Sequence, residues 1–168
     1  PDYTFNGTYD NGQVMINQTG TYYLAGNLTS SSDEYAIRIT GPGITLDGNQ
    51  AVLTGPGQDG YGIEVLVAGT DATVRNFSSI SGFSSGIYSD GDHATISDCT
   101  VHDNQAVGIR SNGNYSHIQG NSAFHNGDVG IFSWGHYSDI MENYASNSRN
   151  GILSQGNFAN ITGNAGND

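Results

Sequence analysis

The sequence predicts an all-β chain coiled into a right-handed parallel β-helix, and three observations carry that expectation. A Gly-Ile pair returns at Gly62-Ile63, Gly86-Ile87, Gly108-Ile109, Gly130-Ile131 and Gly151-Ile152, with Ala36-Ile37 as an earlier copy, at spacings of 26, 24, 22, 22 and 21 residues. Inside the copies a glycine follows five residues later (Gly41, Gly91, Gly113, Gly135, Gly156) and an aliphatic residue five beyond that (Leu46, Ile96, Ile118, Ile140, Ile161). Two inserted residues move these positions to Gly69 and Val74 in the copy that begins at Gly62. Third, segments such as Ile109-x-Ser111, Ile131-x-Ser133 and Ile152-x-Ser154 alternate with the period of a strand, and no stretch carries the stripe of an amphipathic helix.

A unit of about 22 residues holds two or three short strands and tight turns, without room for a crossover helix, and one lap cannot bury its apolar face alone. Laps must therefore stack. About six to seven of them, roughly 4.8 Å apart, make a rod on the order of 30 Å long. Right-handedness follows from the crossover preference of parallel strands.

Taken in order, residues 1–35 read as an N-terminal lead-in and first lap, with strands at Val14-Met15-Ile16 and Tyr22-Tyr23-Leu24 and a loop over residues 30–34. Residues 36–168 read as the repeats, continuous with that lap as one domain. Ile63, Ile87, Ile109, Ile131 and Ile152 should form one inward ladder, and Val74, Ile96, Ile118, Ile140 and Ile161 a second. Ala94, Ser116, Ser138 and Ala159 suit a place where the walls come close. Three residues past the second ladder lie Asn49, Cys99, Asn121, Asn143 and Asn164, a turn column whose amides can bond along the rod axis. Ala51, Val101, Ala123 and Ala145 follow two residues later as a third column. His93, Tyr115, Tyr137 and Phe158 share a column just past the glycine turn, where stacked rings contribute about 0.5–1.5 kcal/mol per pair. The longest connections, near residues 55–61 and 69–71, are where a groove or protrusion would form. The last copy stops part-way round a lap at Ala165, Gly166, Asn167 and Asp168, leaving strand edges able to template another chain.

Composition narrows the function classes. The formal charge is −12 and lysine is absent, leaving Arg38, Arg75, Arg110 and Arg149 as the basic residues beside histidine. Such a surface repels nucleic acid and anionic lipid. No apolar run approaches the ~20 residues that span a bilayer. The chain begins at Pro1, which reads as a processed or excised product. Sequons at Asn6, Asn17, Asn27, Asn76, Asn114 and Asn160 are candidate glycosylation sites and lean, with the missing lysines, toward an extracellular, cell-surface setting. Cys99 is the single cysteine, either buried and inert or bonded to another chain. No metal-ligating spacing and no cofactor motif is present.

Enzymatic readings rest on the outward column Thr45, Thr95, His117, Asp139, Asn160 and its neighbour Asp47, Arg75, Ser97, Gln119, Met141, Thr162. His117 and Asp139, one lap apart, could form an acid–base pair or a simple exposed ladder contact. Adjacent-lap carboxylates are missing from that face. Phe132 and Trp134 should point outward beside Arg110, Asn112, Leu153 and Gln155, a patch suited to protein contact or to sugar.

The string Gly-Ile-x-Ser-x-Gly-Asn-Tyr-Ser-x-Ile-x-Gly-Asn-x-Ala at 108–123, nearly repeated from 130 and 151, resembles the parallel β-helix repeat family of carbohydrate-binding and sugar-hydrolase-type domains. The resemblance covers about residues 36–168. The Asn-rich, lysine-free style is similar to cell-surface and sheath proteins of methanogenic archaea. It implies a non-enzymatic cell-envelope module, in a surface layer or sheath, that self-associates into a homo-oligomer or polymer. The expected contacts are Phe132, Trp134, Leu153, Ala165, Gly166, Asn167 and Asp168. The alternatives are a carbohydrate-binding module or a polysaccharide lyase, hydrolase or epimerase. Family membership alone would leave the job open.

Overall fold

The computed structural model describes residues 2–5, 13–57 and 59–166. Successive laps feed three parallel sheets of eight, seven and six strands, and no described residue is helical. The first sheet runs through β1 (Asp2–Phe5), β3 (Gly20–Leu24), β6 (Ile44–Asp47), β9 (Thr73–Arg75), β12 (Thr95–Ser97), β15 (His117–Gln119), β18 (Asp139–Met141) and β21 (Asn160–Thr162). The second takes β2 (Val14–Ile16), β5 (Tyr35–Ile39), β8 (Tyr61–Val65), β11 (Ser85–Ser89), β14 (Val107–Ser111), β17 (Val129–Ser133) and β20 (Asn150–Ser154). The third takes β4 (Leu28–Thr29), β7 (Val52–Thr54), β10 (Ser79–Ser81), β13 (Thr100–His102), β16 (Ser122–Phe124) and β19 (Tyr144–Ser146). The chain is a right-handed β-solenoid of about seven turns.

Register places like on like. Val14, Ile37, Ile63, Ile87, Ile109, Ile131 and Ile152 are consecutive partners on the second sheet, and from Ile37 to Ile131 they are wholly buried. Tyr22, Leu46, Val74, Ile96, Ile118, Ile140 and Ile161 line up on the first. The third column is Leu28, Leu53, Ile80, Val101, Ala123 and Ala145. This corrects the expectation for Ala51, which is buried but out of register. The turn after Leu46 is longer and holds two residues in the left-handed region, Asn49 at φ 51° and Gln50 at φ 62°. Asn49 accordingly leaves the amide column and donates from Nδ2 to the Leu24 carbonyl, 3.3 Å away, in the preceding lap.

Two glycine columns are steric requirements. A Cβ at Gly91, Gly113, Gly135 or Gly156 would overlap the carbonyl oxygen of the corresponding glycine one lap earlier, Gly69, Gly91, Gly113 or Gly135. At Gly108 and Gly130 it would lie 2.6 and 2.7 Å from the glycine carbonyls of the next lap. Backbones meet here too closely for any side chain.

Three corners turn the chain, each through one residue with positive φ. In the later laps these are Asp98, Gly120, Glu142 and Gly163 at the first corner, Asp103, His125 and Asn147 at the second, and His93, Tyr115, Tyr137 and Phe158 at the third. Asparagine closes the first two. Asn121 and Asn143 each donate from Nδ2 to a carbonyl of the preceding lap, Ile96 (2.9 Å) and Ile118 (2.8 Å). The Oδ1 of Asn143 accepts from the Asn121 backbone N–H at 2.9 Å and from its Nδ2 at 3.0 Å, and Asn164 repeats the pattern beneath Asn143. A second ladder, unread in the sequence, runs through Asn104, Asn126 and Ser148. Both ladders answer the same need: corner N–H and C=O groups lie inside, away from water, and must find partners.

Candidate functional site

The chemistry-bearing outward face lies on the second sheet in the later laps. Ile87, Ile109, Ile131 and Ile152 point inward, so the next residue on each strand, Tyr88, Arg110, Phe132 and Leu153, points outward, each in register with the next. Two residues on, past the strand ends, stand Asp90, Asn112, Trp134 and Gln155. Tyr61 stacks on Tyr88 with ring centroids 4.6 Å apart. The Arg110 guanidinium carbon lies 5.5 Å from the Tyr88 ring centre and 5.4 Å from that of Phe132, a cation held between two aromatic groups. Phe132 meets Trp134 edge-on at 5.9 Å, and Trp134 stays 53% exposed.

Polar groups tie this face together. Arg110 Nε donates to Asn112 Oδ1 at 3.1 Å, and Asn112 Nδ2 donates to the Tyr88 hydroxyl at 3.0 Å and to Asp90 Oδ1 at 2.7 Å. Partial burial, then the charge and hydrogen bond of Asp90, push the Tyr88 phenol above its usual range, so it stays neutral. Arg38 pairs with Glu64, Arg75 with Asp47 at 2.9 Å and Arg149 with Asp128 at 3.7 Å. Among the described residues no carboxylate pairs with Arg110 in this way. A flat exposed indole beside fixed amides and a guanidinium without a carboxylate partner offers an apolar platform with hydrogen-bonding groups at its rim.

The second aromatic strip is the corner column. His93, Tyr115, Tyr137 and Phe158 stack face to face at 5.1, 5.2 and 4.9 Å. All four adopt φ of 56–60°, a conformation that bulky side chains seldom take. Sequence reasoning located the column but not this backbone state.

His117 and Asp139 meet as adjacent partners, Nδ1 to Oδ2 3.1 Å, and Asp139 Oδ1 also accepts from Asn160 Nδ2 at 3.2 Å. Thr73, on the same outward column, joins Thr45 and Thr95 beneath them. Asp47 stands on the outward side of β6 but is buried beneath its partners: its carboxylate accepts from Arg75 Nε, from Asn76 Nδ2 at both oxygens (3.2 and 3.1 Å), and from the Asn49 N–H at 2.9 Å.

Cys99 is 1% exposed, its Sγ donates to the Ser97 carbonyl at 3.2 Å, and burial pushes the thiol up to about 12. Leu153 is half-buried, while Ala165 and Gly166 are exposed. Ala165 is already engaged in a bridge with Tyr144, its N–H and carbonyl both bonded to the preceding lap. Asn167, Asp168 and the sequon Asn6 lie outside the described residues. Of the remaining sequons, Asn76 and Asn114 commit their amides to Asp47 and Asp92, Asn160 to Asp139, and Asn27 accepts from the Val52 N–H. Asn17 is exposed. Among the described residues no three His, Cys, Asp or Glu side chains converge to hold a metal, and no helix is long and apolar enough to cross a membrane.

With this geometry in view, the comparisons define the class. The chain belongs to the family described as "Right handed beta helix region", whose model matches residues 2–149. Among solved structures it is similar to the crystal structure of Dettilon tailspike protein, with a TM-score of 0.70 and 17% sequence identity. That match covers 86% of this chain and 32% of the tailspike chain, so the present chain spans about a third of that protein's length and shares its fold. No curated protein matches the chain.

Proposed function

We propose that this chain is an extracellular structural module that holds carbohydrate on the face built by Tyr88, Arg110, Asn112, Phe132 and Trp134. The observation that carries the reading is the half-exposed Trp134 ring beside the immobilised Arg110–Asn112–Tyr88 network. A sugar ring offers an apolar C–H face and a rim of hydroxyls, and the indole and the fixed amide and guanidinium groups match the two. Because outward positions stack at lap spacing, an extended polymer laid along the rod axis would meet Tyr88, Arg110 and Phe132 in succession. The test is glycan-array binding followed by calorimetry on hits. Trp134→Ala should weaken binding about 10-fold or more, with an unchanged melting temperature. Equal affinity in the variant, or no saturable binding to any polysaccharide, would overturn the assignment.

Self-association into a surface layer or sheath is a second reading, favoured by a specific observation. Tyr115, Tyr137 and Trp134 keep large side chains 47%, 48% and 53% exposed on the outer surface of the later laps. Sedimentation and electron microscopy separate the two: filaments or sheets weakened by Trp134→Glu support assembly, and a monomer at high concentration opposes it.

A further inference from the structure

The third sheet carries a second chemical constellation, on a different face from the Trp134 patch. Ser79 on β10 and His102 on β13 lie on neighbouring strands fixed by the Ile80–Val101 register, and both flank those inward residues, so both point outward. The Ser79 hydroxyl lies 2.9 Å from His102 Nε2. His102 Nδ1 lies 2.6 Å from Asp103 Oδ2. We propose that Ser79, His102 and Asp103 form a nucleophilic site acting on carboxylic esters.

Local structure explains why the three meet. Asp103 takes the left-handed corner conformation, φ 51°, immediately after the strand, and its carboxylate reaches the ring of its own neighbour. The imidazole also lies flat on Phe124 of the next lap, centroids 5.0 Å apart and 4° from parallel. Carboxylate on one nitrogen, hydroxyl on the other and a ring on one face together fix its orientation. A carboxylate on Nδ1 keeps the proton there and leaves the Nε2 lone pair to accept from serine, the arrangement that activates serine on unrelated folds. The His102 side chain is 24% exposed, open to a small substrate yet partly shielded.

In the first step Ser79 Oγ bonds to the ester carbonyl carbon while its proton passes to His102 Nε2. The bond to the alcohol oxygen then breaks, and the leaving alcohol takes that proton. Water attacks the acyl-serine with His102 again as base, releasing the carboxylic acid and restoring the hydroxyl. Asp103 is a positioning residue. Acyl groups on exposed alcohols are the class of substrate this open face admits, independently of whether the Trp134 face binds glycan.

The test uses the purified chain with a fluorophosphonate probe, peptide mass mapping, and 4-nitrophenyl acetate hydrolysis. The expected result is an adduct on Ser79, absent in Ser79→Ala and formed about 100-fold more slowly in His102→Gln. Asp103→Asn should slow labelling and Asp103→Glu should restore it, whereas a wild-type rate in Asp103→Asn would remove Asp103 from the site. No adduct on Ser79 in the unmodified chain, or an equal rate in His102→Gln, would overturn the proposal. The first of these readouts needs no variant to fold.

Discussion

The laps up to Phe83 and those that follow share one backbone path but fill its corners differently. In the earlier laps the third column is Leu28, Leu53 and Ile80, and two wholly buried rings, Phe77 and Phe83, occupy the corners. In the later laps that column shrinks to Val101, Ala123 and Ala145, and the corner positions pass to Asn121, Asn143 and Asn164 on one side and Asn104 and Asn126 on the other. Cys99 is the hand-over point: it follows Phe77 in the column, and its N–H donates to Asn121 Oδ1 at 3.0 Å. The outer surfaces diverge as well. Ion pairs Arg38–Glu64 and Arg75–Asp47 mark the early laps, and stacked aromatic rings the late ones. A corner in this fold can be closed by apolar volume or by an amide that bonds to two laps at once. Regularity at 22-residue spacing accompanies the amide solution, because each corner asparagine needs a hydrogen-bonding side chain directly below it.

Substitutions test that contrast. The largest effect should come from a site both halves share: Gly113→Val drives side-chain atoms into the Gly91 carbonyl and should cost about 4 kcal/mol or more, read as loss of a cooperative urea transition. Phe77→Ala removes a buried ring from an apolar corner and should cost about 3–5 kcal/mol. Asn121→Leu conserves volume but orphans the Cys99 N–H and removes the amide bond to the Ile96 carbonyl, and should still cost about 2–4 kcal/mol. A neutral result would reduce the amide ladder to space filling.

At the hand-over point, Cys99 supplies a pH signature. Its thiol is raised by burial from 9.0 to about 12, so the folded state keeps a proton the unfolded state releases. That stabilisation is complete below pH 9 and is lost as pH rises toward 12, at about 1.4 kcal/mol per pH unit. Urea titrations across that window should show a steeper fall in the native chain than in Cys99→Ala, which keeps only the contribution of the raised Tyr88 phenol. The smallest effect belongs to the exposed strip. Tyr137→Gly loses two ring stacks but relieves a left-handed tyrosine, and should change stability by under about 1 kcal/mol.

How far these features could be read beforehand follows from their periodicity. The Ile109, Ile131, Ile152 ladder, the Gly113, Gly135 column and the Asn121, Asn143, Asn164 column recur at constant offset, and each stands where its spacing puts it. Ala51 went astray because the turn after Leu46 is longer, and a lengthened turn shifts everything beyond it. The Asn104–Asn126 ladder leaves only a two-member asparagine repeat, since its third member is Ser148 and its predecessor Phe83, too short to mark a column in the sequence. Trp134 and Phe132 were expected on the outside. The binding of Arg110 between Tyr88 and Phe132 was not, since it depends on side-chain direction across three laps.

Residue order alone determined the coil, its lap length and the identity of its inward ladders, because stacking forces equivalent residues of successive laps into contact and leaves its period in the chain. Only the tertiary structure decided which outward groups meet: Arg110 with its two rings, Asn112 with Tyr88 and Asp90, and Ser79 with His102 and Asp103. Those meetings depend on diagonal neighbours and on left-handed corner residues, and neither leaves a period in the sequence.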